Sequence, residues 1–145
     1  MGKWSDGVMG EGVFVHYERV RYADTDQMGV VYHGRYFEWF EAARTELIRE
    51  EGMAYRDLEE TGVSLPVIEA HCRYRRSVTY DEWIGIETRL SKVSRSRLRL
   101  EYRVLGEDGT VRVEGFTEHC FMREGRPVRA SADIVAFFED FVTSK

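Results

Sequence analysis

The chain has 145 residues and a formal net charge of −5, which is enough for one domain and too little for two. Its apolar and charged fractions are those of an ordinary globular protein, the acidic balance argues against a general nucleic-acid binder, and no window of about 18 apolar residues could span a membrane. Cys72 and Cys120 belong to no C-x-x-C pair, which disfavours a disulfide framework or a zinc site and fits free thiols in a reducing, cytoplasmic setting.

Residues 1–12 are Gly-rich and polar and lack the basic-then-apolar order of a secretory signal, so they read as a flexible leader to a single domain over 13–145. Phe14 to Tyr22 alternates imperfectly, as a short first strand does. Ala23 to Gly29 is dense in turn and cap residues and predicts a loop. From Gly34 to Glu51 the period becomes helical: Phe37, Phe40, Ala43, Arg44, Leu47 and Ile48 share one face, and Gly52 follows as a stop. A second short helix is expected over Tyr55 to Glu60, ending at Gly62.

The remainder reads as strand. Val67 to Arg76 and Trp83 to Val93 come first, and then Arg97 to Leu105, whose Leu98, Leu100, Tyr102 and Val104 face one way. Gly106 to Gly109 is a hairpin turn, Val111 to Met122 its partner strand, and Glu124 to Pro127 a further turn. Ala132 to Phe141 closes the chain as a helix with Ser131 as its N-cap. Strand, long helix and then antiparallel strands is an α+β order, and open sheet edges favour self-association.

The chemistry concentrates in Tyr22-Ala-Asp24-Thr-Asp26-Gln-Met-Gly29-Val-Val-Tyr32-His33-Gly34-Arg35-Tyr36, a loop that opens onto the long helix. A helix start has N–H groups without intrahelical partners and a partial positive charge. Such a mouth polarises a carbonyl and stabilises the oxyanion formed on attack, while a carboxylate on the same loop attacks or activates water. The plain alternative from spacing alone is that Asp24, Thr25 and Asp26 only cap the turn and the helix. His16, His33, His71 and His119 have no metal-ligand spacing.

The stretch resembles the signature of the 4-hydroxybenzoyl-CoA thioesterase family, in its YbgC-like acyl-CoA thioesterase branch. That pattern is aromatic-x-Asp-x-Asp, two residues, Gly, two apolar residues, Tyr-His, then an aromatic. Tyr22, Asp24, Asp26, Gly29, Val30, Val31, Tyr32, His33 and Tyr36 fill it here. Phe40-Glu-Ala-Ala-Arg44, Val78 to Glu82 and Arg126 to Arg129 resemble later parts of the same family.

The resemblance implies the hot-dog fold, a curved antiparallel sheet wrapped around a long central helix, assembled as a homodimer or homotetramer. It implies an acyl-CoA thioester hydrolase with no cofactor, CoA being part of the small-molecule substrate. On this likeness Asp26 is the catalytic carboxylate, as nucleophile or general base. His33 helps orient substrate or water, and Tyr22 is an aromatic beside the acyl pocket. Gly29 lets backbone and ligand approach closely, the backbone N–H groups near Tyr32 and His33 donate to the thioester carbonyl, Arg95 and Arg129 hold the CoA phosphates, and Asp24 is structural. The sequence departs from the pattern at Arg35, where a small polar residue is common, and after Arg129, where a proline is usual. Two rival readings are a hot-dog hydratase or dehydratase, and a non-catalytic acyl-CoA or acyl-carrier-protein binding module. A helix acid, Glu41 or Glu46, could also replace Asp26.

Overall fold

The structure, a computed structural model, describes residues 4–9, 12–50, 58 and 60–142. Six strands form one sheet: β1 (Gly7–Met9), β2 (Val13–Arg19), β3 (Val67–Tyr74), β4 (Trp83–Val93), β5 (Arg97–Leu105) and β6 (Val111–Cys120). Their order is β1-β2-β4-β5-β6-β3, and every neighbouring pair is antiparallel. The helix α1 (Arg35–Glu50) enters between β2 and β3 in sequence, and α2 (Ala132–Val142) closes the chain. A small hairpin of β7 (Met122–Arg123) and β8 (Arg126–Pro127) precedes α2.

Period-2 alternation becomes one buried face. Leu98, Leu100, Tyr102 and Val104 of β5 are buried, as are Ile84, Ile86, Thr88 and Leu90 of β4. Opposite them lies the stripe of α1: Tyr36, Trp39, Phe40, Ala43, Arg44, Leu47 and Ile48. Phe40 stacks flat on Tyr102, ring centroids 4.2 Å apart and planes within 4°. Gly115 of β6 permits that approach, because a Cβ there would lie 2.4 Å from the His71 carbonyl oxygen and 2.8 Å from the Phe40 ring. Burial of a ring such as Phe40 stabilises the fold by about 2–3 kcal/mol.

The structure departs from the sequence reading at several points. Within the expected leader, residues 7–9 pair as an edge strand with β2, and Trp4 stacks on Trp83 at 5.9 Å. The first strand stops at Arg19 because Tyr22–Asp24 turn as a short 3₁₀ segment, held by the Arg21 N–H donating to the Asp24 carboxylate at 2.8 Å. Phe37 is 37% exposed, since it sits at the margin of a stripe centred on Phe40, Ala43 and Leu47. The helix expected over Tyr55 to Glu60 lies mostly outside the described residues. At the end of the sheet β3 pairs only with β6 among the described residues, and nearly all of its side chains are exposed.

Candidate active site

The loop between the 3₁₀ turn and α1 is a tight hairpin. Thr25 bridges Val31, the Asp26 N–H donates to the Val30 carbonyl at 2.9 Å, and the Tyr32 N–H donates to the Asp24 carbonyl at 3.0 Å. Three residues turn the chain, with Gly29 at φ +81°, a left-handed position that suits glycine at the end of such a loop. The two aspartates of the hairpin have opposite surroundings. Asp24 is 1% exposed, and Arg21 and Arg35 reach its carboxylate at 3.3 and 3.2 Å. Arg35, the departure noted above, therefore ties the hairpin to the first turn of α1, and it also pairs with Glu38 at 2.6 Å.

Asp26 is exposed. Its Oδ1 accepts the Met28 N–H at 2.8 Å, the side-chain turn that aspartate makes two residues ahead of itself. Its Oδ2 has no partner among the described residues. One oxygen is thus oriented and the other is available. The hairpin's second strand runs straight into α1, where the Arg35 N–H is taken by the Tyr32 carbonyl at 2.9 Å and the next N–H groups of the first turn lack helical acceptors.

Of the two backbone donors expected at Tyr32 and His33, that of Tyr32 is spent within the hairpin on Asp24, whereas the His33 N–H has no acceptor among the described residues. The His33 ring is exposed, 4.4 Å from that of Tyr32 and 6.2 Å from that of Tyr74. The Tyr74 hydroxyl donates to the His33 carbonyl at 3.0 Å, so the exposed strand β3 touches the helix mouth. Burial, followed by a hydrogen bond with Cys72, pushes the Tyr74 phenol up to about 12. Tyr22 is 77% exposed and meets Tyr80 edge to face at 5.8 Å. Met28, Tyr32, Tyr74 and Tyr80 are also exposed, which leaves an aromatic surface around the hairpin.

Arg95 and Arg129 lie elsewhere. The Arg95 Nε donates to the Ala130 carbonyl at 3.1 Å, and the Ala130 N–H donates to the Arg95 carbonyl at 2.7 Å. That holds the two arginine-bearing segments together at the β4–β5 turn. The hairpin contacts the other end of β4, through Val30 opposite Thr79 and the Val31 N–H on the Val78 carbonyl. Trp83 to Val93 is roughly 30 Å of extended chain. Within the chain the two arginines are therefore remote from Asp26. The sequence could not reveal this separation, because a motif carries no information on which end of a strand it meets.

Two surface depressions among the described residues are not lined by Asp26. A depression of about 550 Å³ lies on the outer sheet face around Phe116, His71 and Arg99, and an open one of about 630 Å³ lies beside Tyr80, Glu82 and Arg112. Among the described residues, no helix is long and apolar enough to cross a membrane.

Comparison with known proteins agrees with this architecture. Residues 20–138 match the Thioesterase-like superfamily. The putative acyl-CoA thioesterase YneP of Bacillus subtilis is 33% identical over 112 residues, covering 76% of this chain and 81% of its own. The crystal structure of the hypothetical protein TT1821 from Thermus thermophilus superposes with a TM-score of 0.85 at 37% identity, covering 89% of this chain and 97% of that one. A DHNA-CoA thioesterase from Staphylococcus aureus gives 0.79 at 34% identity, covering 91% and 87%. A match running from the end of β2 into α2, together with a shared sheet and helix arrangement, assigns the chain to the thioesterase-like superfamily, as a YbgC-like hot-dog hydrolase of thioesters.

Proposed function

We propose that the chain hydrolyses acyl-CoA thioesters to free acid and CoA at the Asp26 hairpin. The observation that carries this reading is the contrast within the hairpin: Asp24 is consumed by Arg21 and Arg35, while Asp26 keeps one oxygen without a partner among the described residues, on the loop that leads into α1. The thioester carbonyl oxygen sits against the His33 N–H and the first free N–H groups of the helix. There the dipole favours the oxyanion. Asp26 then acts in one of two ways. Its oxygen bonds to the carbonyl carbon as the C–S bond breaks, giving an anhydride that water cleaves. Alternatively it takes a proton from a water that attacks the same carbon. A thiol of pKa about 8.5 leaves without a strong acid, and no cofactor is needed. His33 orients the substrate or water, and Tyr22 borders the acyl group.

The reading requires a second copy of the chain. Among the described residues the sheet ends at β3, whose outer edge runs from Tyr74, at the His33 carbonyl, to Val67, level with His119 near the β4–β5 turn. Val67, Ile68 and Tyr74 on this edge are exposed. Exposed apolar edges pair with other edges. Antiparallel pairing of two β3 strands would carry the partner's β4–β5 end toward this chain's hairpin. Its arginines would then be available for the CoA phosphates that one protomer cannot reach. The resulting homodimer, or a tetramer of two such pairs, works in a reducing cytoplasm, where Cys72 and Cys120 remain free thiols.

The test is release of free thiol when the purified chain meets short, long and aromatic acyl-CoAs. At least one should be cleaved with catalytic turnover. Hydration of an unsaturated acyl-CoA without thiol release would favour the hydratase reading, and binding without any product would favour the binding module.

A further inference from the structure

We infer that Arg112 and Glu82 form a positioning pair for the Asp26 hairpin, an inference whose catalytic arm rests on the reading of Asp26 given above. Arg112 lies near the start of β6, far in sequence from the motif, yet each of its three guanidinium nitrogens is engaged. Nε donates to Thr110 Oγ1 at 2.9 Å. One terminal nitrogen reaches the Ser77 carbonyl at 2.8 Å and Glu82 Oε1 at 3.3 Å, and the other reaches Glu82 Oε2 at 2.7 Å and Asp108 Oδ1 at 3.2 Å. The forked contact with Glu82 is largely withdrawn from water, the two side chains being only 12% and 13% exposed. Paired donors on a carboxylate fix direction as well as distance. Gly106 makes room for the fork, because a Cβ there would fall 2.1 Å from Arg112.

Both arms of the pair end at the hairpin. Ser77, held by Arg112, precedes Val78 and Thr79, whose backbone meets Val31 and Val30. Glu82 accepts the Thr79 N–H at 3.3 Å through its side chain, and through its carbonyl it accepts the Val20 N–H at 2.9 Å. Val20 also takes the Asp81 N–H at 2.9 Å, and it leads into the 3₁₀ turn that carries Asp24. The ion pair therefore braces the segment that meets the hairpin's second strand, and the backbone of the same Glu82 holds the chain on entry to the hairpin. The hairpin tip makes no other backbone bond to the sheet among the described residues. Its seat on the sheet is thus set from Ser77–Glu82, alongside the tie of Arg35 to Asp24 on the helix side, and a carboxylate misplaced by about 1 Å loses a large part of its catalytic effect.

The experiment compares Glu82→Gln, which keeps shape and removes charge, with Gly106→Ala, which displaces the Arg112 fork without touching the hairpin. The control is Arg99→Gln, which breaks an ion pair of the outer face made with Glu118 at 2.9 Å. Backbone amide exchange and acyl-CoA turnover are both measured. The amides of Asp26 and Val31 should exchange about tenfold faster or more in both test variants, while those of β5 keep their protection. In the same variants kcat should fall about 10- to 100-fold, with KM within about twofold. The control should leave both readouts near wild type. Exchange at Asp26 and Val31 that stays at wild-type rates, or rises only in step with β5, would overturn the inference. So would a kcat no lower than that of the control. Local loosening in a protein whose wild type releases no thiol would leave the brace standing and remove the thioesterase reading instead.

Discussion

At the β4–β5 end of the sheet, Leu90, Leu98 and Leu100 meet Ile48 and Phe138 around the buried His119, and α2 lies against β4. At the other end, the Asp26 hairpin stands on a frame of charged side chains, with Tyr22, Met28, Tyr32 and Tyr80 exposed around it. Apolar closure at the first end supplies stability, because buried area counts wherever it is. Polar bracing at the second leaves a carboxylate and peptide N–H groups reachable, which a packed end could not do. Under the proposed function, stability belongs chiefly to one end and chemistry to the other, and substitutions at each end should separate the two.

The largest stability effect belongs to the closed end. Phe138→Ala should cost about 3–5 kcal/mol, from lost transfer energy and the cavity left behind, and lower the melting temperature by roughly 10 °C. Its kcat should stay within about threefold of wild type at a temperature where it is folded. A selective loss of kcat would erase the contrast.

His119 sharpens the comparison through pH. It is 1% exposed, with its ring nitrogens on the Leu65 carbonyl at 3.0 Å and Thr117 Oγ1 at 2.9 Å. Burial lowers its pKa from 6.5 to about 4. The folded state therefore resists a proton that the unfolded chain accepts. Above pH 6.5 the group is neutral in both states, and stability falls as pH drops from 6.5 toward 4, by about 3 kcal/mol at most. Thermal unfolding of His119→Gln across that window should show a shallower acid slope than wild type.

His16 runs the opposite way. Partial burial opposes its charge, but Glu18 at 2.6 Å and Asp6 at 2.5 Å outweigh burial and raise it to about 9. Its stabilisation is complete below 6.5 and disappears as pH rises through 9. After allowance for solvent screening it is worth about 1–2 kcal/mol. His16→Gln should flatten the alkaline slope of stability. It lies midway along β2, so kcat should not change.

The smallest effect is that of Arg95→Gln. If a partner's arginines reach the CoA phosphates, KM should rise about fivefold, near 1 kcal/mol, with kcat unchanged. For a substrate that lacks the nucleotide, KM should not change. An unchanged KM for intact acyl-CoA would leave Arg95 with only its tie to Ala130.

Much of this division is written locally. The strands Trp83–Val93 and Arg97–Leu105 match their expected bounds because Ile84 to Leu90 and Leu98 to Val104 place every second residue on a buried face. The body of α1 is equally legible from its 3.6-residue stripe. The hairpin is readable as a loop because Asp and Gly favour its turn. The same preference hides whether Asp26 is there for the turn or for chemistry, and its bond to the Met28 N–H shows that it serves the turn in any case. What the sequence does not disclose is long-range. The brace joins Arg112 to Glu82 across thirty positions, and Arg95 is separated from Asp26 by the length of a strand. Nor does it reveal that the Tyr32 N–H is spent on Asp24, since that depends on hairpin register rather than residue type.

The most direct test of the account is the rate of thiol release from acyl-CoA by Asp26→Asn, with its fold checked by thermal unfolding. The amide retains an oxygen able to accept the Met28 N–H, so the melting temperature should stay close to wild type. Turnover should fall about 100-fold or more, the usual worth of a positioned base. A well-folded Asp26→Asn protein that releases thiol at nearly the wild-type rate would contradict the assignment of the chemistry to the open end of the sheet.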